Sequence, residues 1–145
     1  MKRLYIAYGS NLSRRQMKNR WPESVEIGTG VINHYELLFK LSKTGFYATI
    51  EEKEDSTVPV LVWEISSKDE KSLDRYEGFP NCYKKKQLNV HMNTGEMVLG
   101  IVYVLDIEKP KGKPKDGYYN LIKQSYEELG FNVNILKKAL KISNI

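Results

Sequence analysis

Cysteine occurs once in this chain and histidine only twice. A single thiol, Cys82, leaves no internal disulfide to form and fits a reducing compartment, which predicts a cytoplasmic location. His34 and His91 stand far apart in sequence, and with Cys82 they make no metal-ligand spacing. No apolar run is long enough to cross a bilayer as a helix, so no membrane partner is expected. The N-terminus passes straight into a strand pattern, which predicts no signal peptide. There is no internal repeat and no composition shift, so residues 1–145 read as a single domain.

What is present describes an ordinary globular chain. Hydrophobic residues make up 41% and charged residues 28%, enough apolar surface for one core. The formal net charge is +5, with basic residues gathered at Arg14–Arg20, Lys84–Lys86, Lys109–Lys115 and Lys137–Lys141. No nucleic-acid motif accompanies these scattered groups. They read as a solvated face that attracts small anions, and no nucleic-acid partner is expected.

The middle of the chain is dominated by strand patterns. Leu4, Ile6 and Tyr8 alternate with Tyr5 and Ala7. Ser13–Trp21 reads as a short helix closed by Pro22. Val25–Leu41 is a long strand with a bulge near Gly28 and Gly30, and Val31, Tyr35, Leu37, Phe39 and Leu41 fall on one face. Lys43-Thr44-Gly45 is a turn before a strand at Phe46–Ile50. The charged stretch Glu51–Thr57 reads as a loop. Val58–Ile65, opened by Pro59, reads as a strand covered on both faces. Ser67 and Glu70 have capping-box spacing for a helix in which Leu73 and Tyr76 face the core, and Gly78 stands at its C-terminal end. Leu88–Met92 and Met97–Leu105 form a hairpin across Asn93-Thr94-Gly95. After a Lys- and Pro-rich loop at Lys109–Lys115, helical spacing runs from Tyr118 to Leu129, ends at Gly130, and resumes from Val133 to Leu140. The class is α+β, with a curved antiparallel or mixed sheet compatible with a small barrel and short flanking helices.

Two stretches carry chemistry. In Tyr8-Gly9-Ser10-Asn11-Leu12 a strand stops at a glycine, which can take backbone angles costly for other residues, followed by two short polar side chains. A strand, a tight turn and a helix start aim several backbone N–H groups at one point, which makes an anion cradle. The alternative for the same residues is an ordinary connecting loop. The second stretch is Leu73-Asp74-Arg75-Tyr76-Glu77-Gly78-Phe79. Glu77 occupies the last helical turn, facing the negative end of the helix dipole, with Tyr76 and Phe79 as apolar flanks. Both effects raise a carboxyl pKa and suit it to act as base and then as acid. The alternative is a solvated surface glutamate.

Together the Tyr8-Gly9-Ser10-Asn11-Leu12 loop and the Glu77-Gly78 pair resemble the γ-glutamylcyclotransferase-like family. The likeness extends to Ala48-Thr49-Ile50, to Val62-Trp63-Glu64-Ile65, to Tyr83 after the Glu-Gly pair, and to the helix ending at Gly130. It implies a small barrel-like α+β fold with its pocket at the barrel mouth. It also implies an enzyme in which the substrate's α-amine attacks its own γ-amide carbonyl, releasing 5-oxoproline and a free amino acid or amine. By the same resemblance Glu77 is the proton shuttle and Gly9–Leu12 holds the glutamyl moiety. Tyr103 and Tyr118 match pocket tyrosines, with Tyr119 as the neighbouring alternative to Tyr118. The implied partner is a small γ-glutamyl compound, and the chemistry needs no cofactor. Asn81-Cys82-Tyr83 departs from a glycine common before that tyrosine, and Val60-Leu61-Val62 lacks another. These departures leave the leaving group open. A cyclotransferase acting on γ-glutamylamines or a biosynthetic intermediate, and a non-catalytic anion-binding module, stay as alternatives. Cys82 has no histidine nearby in sequence and is not read as a nucleophile.

Overall fold

A computed structural model describes residues 2–144. Five strands close into a barrel: β1 (Lys2–Ala7), β2 (Val25–Leu41), β3 (Phe46–Ser66), β4 (Tyr83–Met92) and β5 (Met97–Leu105). Their order around the barrel is β1-β3-β2-β4-β5. All neighbours are antiparallel except β1 and β5, which meet in parallel at Tyr5 and Ile101 and close the ring. Four helices flank it: α1 (Arg14–Arg20), α2 (Ser67–Glu77), α3 (Asp116–Leu129) and α4 (Val133–Ser143). This is the mixed-sheet α+β barrel that the pattern of strands and late helices predicts. Among the described residues no helix is long and apolar enough to cross a membrane.

The core is apolar and continuous through the barrel. Ile6, Leu61, Val62, Ile101 and Val102 fill it, and Leu73, Ile122 and Leu136 bring α2, α3 and α4 against it. β3 is buried at every position from Val58 to Trp63, as expected of a strand covered on both faces.

Several local expectations need correction. Glu51–Thr57 is not a separate loop, because β3 runs through it. The register jumps from Asn33↔Thr57 to Tyr35↔Glu52, so residues 53–56 bulge outward opposite His34 alone. Their charged side chains face water, while backbone pairing on both sides keeps the strand continuous. Pro59 therefore lies inside β3 rather than at its start, paired with Val31. The same shift breaks the single face read along β2: before it Ile32 is buried and Val31 only half-buried, and after it Leu37 and Phe39 are buried. Leu41, the last residue of the strand, is exposed. The second register shift, between Glu26 and Gly28, is the bulge expected near the glycines. On α2 the N-cap is Ser66, not Ser67; its hydroxyl accepts from Asp69 N–H at 3.1 Å. Gly78 takes the left-handed conformation that ends the helix, φ 68°. Leu73 is fully buried, whereas Tyr76 is 47% exposed.

Candidate active site

β1 delivers the chain to a tight turn above the barrel. A single 3-10 turn, Ser10–Leu12, follows Gly9 and leads into α1. Leu12 N–H bonds Gly9 O at 3.0 Å and Ser13 N–H bonds Ser10 O at 3.1 Å. The N–H groups of Gly9, Ser10 and Asn11 precede the first bond of the turn, and among the described residues they meet no backbone acceptor. The side chain of Asn11 is buried and fixed: Nδ2 donates to Tyr5 Oη at 2.9 Å, and Oδ1 accepts from Gln16 Nε2 at 3.0 Å. Gly9 has φ −120°, so a positive φ is not what the position demands. Space is: a Cβ there would stand 3.2 Å from Ala48 Cβ and 3.4 Å from Tyr118 Oη.

This turn forms one wall of a cavity of about 470 Å³. Tyr8, Gly9, Ser10 and Asn11 line it, with Glu77 from α2, Tyr103 from β5 and Tyr118 from α3. Leu12 does not: its side chain is buried in the core and its N–H is spent on Gly9. Of the adjacent tyrosines on α3, Tyr118 lines the cavity, and Tyr119 packs against Phe39 instead. The sequence reading did not single out Tyr5, Tyr47, Arg20 or Arg75 as lining residues. Nothing local marks them, since the fold alone brings their elements to one mouth.

The tyrosines are tied together through β3. Ala48 O accepts from Tyr83 Oη at 3.2 Å and from Tyr8 Oη at 3.4 Å, and Ala48 N–H donates to Tyr118 Oη at 3.0 Å. Tyr8 Oη also donates to Tyr103 O. Tyr103 Oη donates to Asp74 Oδ1 at 2.6 Å, which docks β5 on α2. Lys85 bridges Asp74 and Glu70, each at 2.8 Å. Burial opposes the charge on Lys85, but the two carboxylates outweigh it and raise its pKa. These bonds hold α2, and hence Glu77, at a set position on the barrel.

Glu77 is the last residue of α2. Burial raises its carboxyl pKa from the ordinary 4.5 to about 7, with the Arg20 guanidinium pulling the other way. Of the two expected flanks, Tyr76 lines the same cavity though 47% exposed, while Phe79, 37% exposed, does not. The enclosing groups are the cavity walls. Tyr5, Tyr8, Tyr83 and Tyr118 are all pushed above the ordinary phenol range, first by burial and further by the charge of Glu77. All four stay protonated at neutral pH. Among the described residues no group of three His, Cys, Asp or Glu side chains is placed to hold a metal ion.

Chemically this is a small barrel whose tyrosine-walled cavity holds one carboxyl of raised pKa and the turn that follows β1. The chain belongs to the gamma-glutamyl cyclotransferase, AIG2-like family, whose model matches residues 5–121. Among solved structures it is similar to one described as a gamma-glutamyl cyclotransferase, at 23% identity and TM-score 0.87, covering 96% of this chain and 86% of the other. It is equally similar in fold to an uncharacterized protein from Homo sapiens, at 24% identity and TM-score 0.86, covering 95% and 86%. A yeast gamma-glutamyl cyclotransferase described as specific to glutathione matches at 11% identity and TM-score 0.67, covering 99% and 97%. A comparison with curated protein sequences returned no match.

Proposed function

We propose that the chain is a γ-glutamyl cyclotransferase that converts a γ-glutamyl compound into 5-oxoproline and a free amine-bearing product. The observation that carries this reading is Glu77, placed in the cavity that the Gly9–Asn11 turn lines, where burial pushes its carboxyl pKa up to about 7. A pKa near the working pH lets one group take a proton and return it.

The ionised Glu77 carboxylate takes a proton from the substrate's α-ammonium. The freed amine attacks the γ-carbonyl carbon and forms the new C–N bond of the lactam ring. The C–N bond to the leaving amine then breaks. In all, two protons pass from the α-nitrogen to the leaving nitrogen, and Glu77 ends as it began. The N–H groups of Gly9, Ser10 and Asn11 hold the glutamyl moiety, and the hydroxyls of Tyr5 and Tyr118, whose oxygens accept from Asn11 and Ala48, keep their protons to donate near the carbonyl oxygen. Nucleophile and electrophile arrive already linked, so holding the chain folded lowers the barrier by up to ~7–11 kcal/mol. An anion-binding module without chemistry is disfavoured by Glu77 itself, since pure anion binding gains nothing from a carboxyl group beside the site.

The test is a screen of γ-glutamyl amino acids and γ-glutamylamines with 5-oxoproline detected by mass spectrometry. Release from at least one class is expected. Binding without 5-oxoproline release across the whole screen would overturn the reading.

A further inference from the structure

Four charged side chains line the cavity: Glu77 and the cations Arg20, Lys43 and Arg75. The cyclisation uses the carboxyl and leaves the cations without a task. Among the described residues none of the three has a carboxylate within ion-pair distance. Surface arginines without a carboxylate are common, but Arg20 is held in place. Its guanidinium carbon stands 4.4 Å from the Tyr76 ring centroid. Tyr76 meets Trp21 edge-on with centroids 5.5 Å apart, and the buried Trp21 donates from Nε1 to Ser72 Oγ at 2.9 Å. A chain of aromatic contacts rooted in the α1–α2 packing thus fixes one guanidinium at the cavity wall beside Glu77. Arg75 lies two residues before Glu77 on the same helix.

The leaving nitrogen must approach Glu77 to receive its protons. In an amino acid, the carboxylate is separated from that nitrogen by a single carbon, so it lies beside the same wall. A γ-glutamylamine presents nothing there for a guanidinium to bind. Arginine's planar fork suits a carboxylate, and charged pairs of this kind are the strong hydrogen bonds of a partly enclosed site. We propose that Arg20, assisted by Arg75, reads a carboxylate on the leaving group, so that the substrates are γ-glutamyl amino acids rather than γ-glutamylamines. This deepens the cyclotransferase reading and rests on it.

The experiment compares γ-glutamyl-alanine with γ-glutamyl-alaninamide, which differ by the carboxylate alone. The kcat/KM for 5-oxoproline release is measured for each with the wild type and with the Arg20→Gln, Arg75→Gln double variant. The variant gives the intrinsic difference between the two leaving amines. Any effect on Glu77 titration moves both substrates together and cancels in the ratio. The acid-over-amide ratio is expected to fall by roughly tenfold to a hundredfold in the variant, as for loss of a charged hydrogen bond. An unchanged ratio, including one in which both activities drop in step, overturns the proposal, because the arginines then act elsewhere than on the leaving group. If the wild type releases 5-oxoproline from neither peptide and from nothing else in the wider screen, the cyclotransferase reading fails and this proposal with it. Both substituted residues are exposed, and thermal melts of the variant check that it is folded.

Discussion

The raised pKa of Glu77 has consequences for both activity and stability. As base it must start ionised, so kcat/KM is expected to rise with pH up to about 7 and then level. Arg20 pulls that pKa down, so Arg20→Gln should move the rising limb to higher pH, read from pH–rate profiles. The stability effect has the opposite sense. Folding favours the neutral carboxyl, so its contribution is present in full below about 4.5 and is lost as pH rises through about 7. Glutamine does not titrate. Between pH 5 and pH 8 the wild type should therefore lose on the order of 2 kcal/mol more stability than Glu77→Gln. Parallel urea titrations at the two pH values measure this, and equal losses would show that Glu77 is not buried against its charge. The position of Glu77 before a helix-ending glycine was readable from sequence, and so was the direction of its shift. The cause was only partly readable. Adjacent Tyr76 and Phe79 looked like its apolar cover; Tyr76 does line the cavity though half-exposed, Phe79 does not, and tyrosines from β1, β4 and α3 supply the rest of the enclosure.

Helix ends and turns are set by short-range chemistry, which explains why Gly78 and Gly130 were placed correctly as helix stops. Glu51–Thr57 was misread because charge suggests a loop, while backbone pairing with β2 on either side of the bulge, which no local pattern encodes, keeps it in a strand. The donor turn was legible as a motif, but the reason for its glycine was not. A valine at position 9 would press on Ala48 and on the hydroxyl that Ala48 N–H binds. Gly9→Val is accordingly expected to weaken binding of 5-oxoproline at least tenfold, measured by calorimetry on protein shown to be folded. Unchanged affinity would place ligand binding elsewhere. The seam between β1 and β5 is equally tight. A Cβ on Gly100 would meet Ile6 Cγ1 at 2.8 Å and Leu4 O at 3.2 Å. Gly100→Ala should cost about 1–3 kcal/mol by prying the strands apart. A denaturation midpoint within error of wild type would show that the seam has slack.

At the scale of the whole molecule, the site exists because the barrel closes. The Gly9–Asn11 turn follows β1, Glu77 ends α2, Tyr103 comes from β5 and Tyr118 opens α3. Each was visible in sequence as a candidate, but their convergence depends on strand order, which alternation along a strand does not reveal. The basic wall of Arg20, Lys43 and Arg75 was invisible for the same reason. One carboxyl can carry both proton transfers, so chelation is expected to leave turnover unchanged; loss on chelation that a divalent ion restores would contradict a metal-free route. The most direct test of the central claim is 5-oxoproline release by wild type and Glu77→Gln at saturating substrate, with ligand binding measured separately. Glutamine keeps the shape of the side chain but cannot accept and return a proton. Turnover should fall by at least ~10²–10⁴-fold with binding largely retained. A variant that keeps more than about a tenth of wild-type turnover, a change in barrier of only ~1.4 kcal/mol, would contradict the role of Glu77 as proton shuttle.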